Sequence, residues 1–176
     1  MHDAQKSSIA YPARKCGQNR PGSAQMPSMA SESMTAAGQP LETERQFAAL
    51  PWRERSGVEV LLVSSRDTGR WVIPKGWPIA DLMPHETAAR EAFEEAGIEG
   101  GVATAPLGHY TYRKRLPGRR AVICDVQVFA FRVTHQRDDW PEKHQRRVRW
   151  FPAAEAAGLV AEPELAGLIR KFAGLA

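Results

Sequence analysis

Arg90-Glu91-Ala92-Phe93-Glu94-Glu95-Ala96-Gly97-Ile98 sets three carboxylates into five positions and then stops at a glycine. Residues three and four apart are neighbours on a helix, so Glu91, Glu94 and Glu95 project from one face. At ~100° per residue they fall within an arc of roughly 100°. Ala89, Ala92, Phe93 and Ala96 take the opposite side, a small apolar back suited to a core. So crowded an acidic front repels itself unless positive charge sits before it. A divalent cation meets that need, because Mg²⁺ takes oxygen ligands and commonly binds through carboxylates plus substrate phosphates. The alternative is a solvated acidic face tied to Arg90 or to a lysine elsewhere.

Working outward, Trp71-Val72-Ile73-Pro74-Lys75-Gly76 reads as a strand end opening into a loop over 76–83. Pro84 suits the first turn of the helix, where its missing N–H is harmless. Glu86 lies four residues before Arg90, in the favourable acid-then-base order. Gly97 can take the left-handed conformation that closes a helix. Together Gly76, Arg90, Glu91, Glu94, Glu95, Gly97 and Ile98 stand at a spacing that resembles the Nudix box. That box runs glycine, five residues, glutamate, seven residues, Arg-Glu, an aliphatic residue, any residue, Glu-Glu, any residue, glycine and an aliphatic residue. Ala92 fills the first aliphatic place. Leu82 stands where the box has its first glutamate, with Asp81 and Glu86 out of register.

The resemblance implies a mixed β-sheet between helices, an α/β/α sandwich, and hydrolysis of a phosphoanhydride with Mg²⁺ or Mn²⁺. It implies that Glu91, Glu94 and Glu95 are metal ligands and catalytic. One of them would also serve as general base, unless Asp125 or Glu142 supplies it; the plainer reading of those two is a polar residue bound to a neighbour. Gly76 is implied to present a backbone carbonyl to the metal, and Arg90 to brace the loop against the helix. Trp71 to Gly76 is also similar to the opening of the diphosphoinositol polyphosphate and diadenosine polyphosphate hydrolase branch. Trp140-Pro141-Glu142, Arg147-Val148-Arg149-Trp150-Phe151 and Glu155-Ala156 are similar to that branch's C-terminal half. Trp77 replaces that branch's second glycine. Other substrates of the family type are ADP-ribose, a dinucleotide or an RNA 5′ end. A catalytically silent domain that binds a phosphorylated ligand is a further alternative, motivated by Leu82.

The small-molecule polyphosphate substrate expected from this resemblance needs cations. Arg113, Lys114, Arg115, Arg119 and Arg120 flank a Pro-Gly turn, and Lys75 immediately precedes the box glycine. Arginine suits bidentate phosphate binding. The competing reading is a solvated charged hairpin. Trp77 offers a face for a base or a cover for the entrance.

The remaining chain is ordinary for a soluble α/β protein. Its 176 residues allow one domain with a sizeable core. A net charge of +4 suits anionic partners but does not single out nucleic acid. Two cysteines, Cys16 and Cys124, make no disulfide framework, and a cytoplasmic setting is expected. No apolar run approaches the ~18 residues of a membrane span. Residues 1–42 are rich in Ser, Ala, Gly, Pro, Gln and Met and predict a disordered tail, without the apolar segment of a secretory signal. Residues 43–176 predict the folded domain. Strands are expected over 45–53 (interrupted or ended by Pro51), 58–64, 70–74, 107–113, 121–133 and 147–151. Helices are expected over the acidic stretch, 153–157 and 164–172. Alternating apolar residues on both sides of 121–133 predict a strand covered on both faces, with Asp125 and Gln127 looking into a site.

Overall fold

The computed structural model describes residues 41–116 and 121–174. The expected tail up to residue 40, and with it Cys16, lies outside them, as do Arg119 and Arg120. Along the chain run β1 (Thr43–Glu54), β2 (Val58–Ser64), β3 (Trp71–Val72), β4 (Lys75–Gly76) and α1 (Pro84–Ala96). Then follow β5 (Ile98–Lys114), β6 (Val122–Gln136), β7 (Val148–Pro152), α2 (Ala153–Leu159) and α3 (Pro163–Phe172). The strands form one mixed sheet in the order β3-β2-β1-β6-β5, with β4 added to β1 and β7 to β2. Among the described strands, β1 and β6 pair in parallel and the other pairings are antiparallel.

The pleat sorts side chains into two apolar layers. Phe47, Ala49, Leu61, Val63, Phe129 and Phe131 meet Ala88, Ala92 and Ala96 of α1. Ala48, Leu50, Val60, Leu62, Cys124, Val126 and Val128 meet Ala153, Ala156, Leu165 and Ile169 of α2 and α3. Each fully buried Leu or Ile contributes about 2 kcal/mol. The expected α/β/α sandwich is what the residues build. Among the described residues no helix is long and apolar enough to cross a membrane.

Several expectations shift. Pro51 does not end the first strand but lies buried inside it. The N–H of Ala49 bonds the carbonyl of Pro74. Two residues on, Pro51 faces the same side, between the register of β4 at Phe47 and Ala48 and that of β2 starting at Trp52. Its missing donor falls in the gap between two partners. β5 begins at Ile98, well before residue 107, because Gly100 approaches so closely that a Cβ there would lie 1.9 Å from the Arg132 carbonyl oxygen. β6 is covered on both faces only near Val128 and Phe129; Ile123, Asp125 and Gln127 stay half-exposed. Glu86 turns back to accept the N–H of Met83 at 2.8 Å, closing the helix start.

Candidate active site

Helix α1 presents its acidic ridge to β4. Lys75 and Gly76 pair with Ala48 and Phe47 of β1, so successive side chains alternate between the two sides of the sheet. Gly76 faces the α1 side, and the Glu91 carboxylate fills the space a side chain would take. A Cβ on Gly76 would lie 2.1 Å from both the Cδ and Oε1 of Glu91. The backbone N–H of Lys75 points to Oε2 of Glu95 at 3.4 Å. Glu91 and Glu95, one helical turn apart, thus converge on two consecutive residues of β4.

The third acid is placed differently. Glu94 accepts from the Nε of Arg90 at 2.5 Å, and both side chains are largely buried. Arg90 thus reaches the ridge itself. Glu95 is only 4 % exposed. Burial pushes its carboxyl up, against the opposing pull of the Lys75 and Arg146 charges. The same burial pushes the Lys75 ammonium down, with Glu95 acting against it.

Arg146 is the residue that sequence reasoning missed. Its side chain is 7 % exposed. Nη2 donates to Oε1 of Glu95, Nε donates to Oε2 of Glu142 at 2.6 Å, and Nη1 donates to the Ser64 carbonyl at 3.0 Å. Arg66 holds the other Glu142 oxygen at 3.1 Å. The loop carrying these groups is moored to the end of α1. The N–H of Glu142 bonds the Glu94 carbonyl, the N–H of Arg137 bonds the Gly97 carbonyl, and the Gln136 amide bonds the Ala96 carbonyl. These donors satisfy carbonyls that a helix end leaves open. In sequence Arg146 is one of several bases in a polar run, and no local signal separates it from Arg147.

On the other side of β4 lie cations and rings. The Lys75 ammonium sits 5.7 Å from the Tyr112 ring centre, and that of Lys114 sits 5.4 Å from Trp77. Tyr112 donates its hydroxyl to Gln46 at 2.8 Å. Burial pushes the Tyr112 and Tyr110 phenols well above their usual range. The described bases of the hairpin, Arg113, Lys114 and Arg115, divide between faces. Tyr110 and Tyr112 belong to the α2–α3 layer, so Arg113 alternates to the opposite face, and both Arg113 and Arg115 are exposed. Asp125 takes the plainer of its two readings, bonded to Arg45 at 3.5 Å and to Nδ1 of His109 at 3.2 Å.

The donor set fits a hard divalent cation. It consists of carboxylate oxygens beside a backbone that a side chain would block, with no sulfur. Among the described residues, no three His, Cys, Asp or Glu groups come close enough to make a ready cation cage.

Fold and ridge together define an α/β/α domain whose acidic helix is pressed onto a short, glycine-bearing strand. The chain belongs to the Nudix family, whose NUDIX domain matches residues 43–172. It is 38% identical over 105 residues to Nudix hydrolase 12, mitochondrial, of Arabidopsis thaliana, covering 58% of this chain and 52% of that protein. It is 32% identical over 116 residues to diphosphoinositol polyphosphate phosphohydrolase 3-beta of Bos taurus, covering 64% of this chain and 66% of that one. The chain spans about half the length of the plant relatives it matches. A binary complex of the C. elegans Ap4A hydrolase superposes with a TM-score of 0.56 at 20% identity, over 74% of this chain and 96% of that one. The E. coli dihydroneopterin triphosphate pyrophosphohydrolase gives 0.58 at 16%, over 77% and 99%. At such identities the likeness to these structures is one of fold.

Proposed function

We propose that the chain is a Mg²⁺- or Mn²⁺-dependent hydrolase of a phosphoanhydride bond. Its substrate would be a small molecule of the diadenosine polyphosphate or diphosphoinositol polyphosphate type. The observation that carries this reading is the convergence of Glu91 and Glu95 on Lys75 and Gly76, where a side chain would expel a carboxylate. Glu91 and Glu95, with the Gly76 carbonyl and Glu94, would hold the cation. When bound, such a cation neutralises phosphate charge and lowers the pKa of a bound water. Lys75 and Lys114 would take phosphate oxygens, and Arg113, Arg115, Arg119 and Arg120 are the further bases proposed for them. Arg90 keeps Glu94 in line, and Gly97 lets the chain leave the helix.

A second reading, a nucleoside diphosphate derivative such as ADP-ribose, draws on Trp77 and Tyr112. Their rings lie beside Lys114 and Lys75 and give a base something to stack on. The proposal places the catalytic domain at 43–176, after a tail of 1–42. It also places the protein in the cytoplasm; the plant relatives bear mitochondrial and chloroplastic names. The test is a panel of phosphoanhydrides with and without Mg²⁺, the products being identified to locate the phosphorus attacked. Turnover that requires the metal and disappears in Glu95→Gln supports the proposal. Metal-independent turnover, or none across the panel, defeats it.

A further inference from the structure

We infer that Arg146 is a positioning residue. One guanidinium holds the helix acid Glu95 and the loop acid Glu142 together, and so decides which oxygen of Glu95 is presented to the site. The inference rests on the hydrolase reading above.

The two carboxylates come from elements far apart in sequence, and Arg146 is the group they share. Nη2 takes Oε1 of Glu95, and Nε takes Oε2 of Glu142. The third contact, to the Ser64 carbonyl at 3.0 Å, fixes the fork to the end of β2. Ser64 is itself locked: its N–H bonds the Arg147 carbonyl, and its hydroxyl accepts the Arg147 N–H at 2.9 Å. The guanidinium is therefore anchored to the sheet as well as to the carboxylates.

The consequence lies in the two oxygens of Glu95. Oε1 is occupied by Arg146, while Oε2 is turned towards the Lys75 N–H, 3.4 Å away and weakly held. Oε2 is thus the oxygen on the β4 side, where the Glu91 carboxylate also lies. A planar fork can set this orientation because its donors are fixed relative to one another; an ammonium is a single point on a flexible stem. Arg146 also compensates the buried charge of Glu95, which would otherwise be costly. Charge compensation needs only a cation. Orientation needs the fork, and that difference makes the inference testable.

Arg146→Lys and Arg146→Gln are compared with the full chain. Three quantities are read: Mn²⁺ affinity by calorimetry without substrate, kcat and KM per folded molecule, and the melting temperature. Arg53→Ala serves as a control for plain destabilisation, since it removes the contacts to Glu59 at 2.6 Å and to the Trp150 ring at 4.0 Å. Arg146→Lys is expected to melt close to the full chain yet to bind Mn²⁺ more weakly and lose kcat, each by roughly 10- to 100-fold, with KM little changed. Arg53→Ala is expected to melt lower with Mn²⁺ affinity and kcat intact. If Arg146→Gln does not fold, Arg146→Lys alone carries the comparison. Arg146→Lys with Mn²⁺ affinity and kcat of the full chain overturns the inference, as does a full chain that binds no Mn²⁺. A full chain that binds Mn²⁺ but turns over nothing overturns the hydrolase reading instead, and the affinity comparison still judges Arg146.

Discussion

Gly76→Ala separates the site from the fold. A Cβ at this position would stand 2.1 Å from the Cδ of Glu91, whereas ordinary contact begins near 3.4 Å. The carboxylate must retreat by the difference, 1.3 Å, or β4 must leave Phe47 and Ala48 of β1. The side chain is the softer element, so Glu91 is expected to move. A misplacement of about 1 Å costs about a hundredfold in rate, or about 2.7 kcal/mol of transition-state stabilisation. Stability should hardly change, because Gly76 is not among the glycines with positive φ. The assay is kcat/KM at saturating Mg²⁺ together with the melting temperature, against Gly101→Ala, whose Cβ would meet nothing within 4 Å. A Gly76→Ala enzyme within threefold of the parent would show that Glu91 need not lie against β4, and the geometric argument would fall.

Other outcomes follow from single contacts. Gly97→Ala meets a left-handed φ of 67° and a Cβ 2.6 Å from the Trp140 ring, so it should cost at least about 1 kcal/mol by chemical denaturation. Stability equal to the parent would mean that the loop over α1 yields freely. Burial raises the Tyr110 and Tyr112 phenols, so the native state keeps protons that the unfolded chain releases above about pH 10. Their contribution is full below that pH and fades above it, by up to about 1.4 kcal/mol per pH unit for each tyrosine. Melting between pH 9 and 11 should therefore fall less steeply in Tyr112→Phe than in the parent, and equal slopes would contradict the assigned burial.

The local sequence decided α1 almost completely. Pro84 starts it, Gly97 ends it, and the glutamate spacing puts Glu91 and Glu95 on one ridge, because helix geometry relates residues only three and four apart. The strand 58–64 was equally legible, being a continuous β-branched and aliphatic run. The alternation that put Lys75 and Gly76 on opposite sides of β4, and Arg113 opposite Lys114, depends on sheet register, which pairing with distant strands sets. Pro51 reads as a strand end until the gap between β4 and β2 explains how a residue without an N–H sits inside β1. Arg146 reads as one base among many until β2, α1 and the loop after β6 bring Ser64, Glu95 and Glu142 around it. The sequence by itself determined which acids share a face. Only the tertiary structure decided what each of them faces, because a buried charge takes its partner from whichever element folding carries within hydrogen-bond reach.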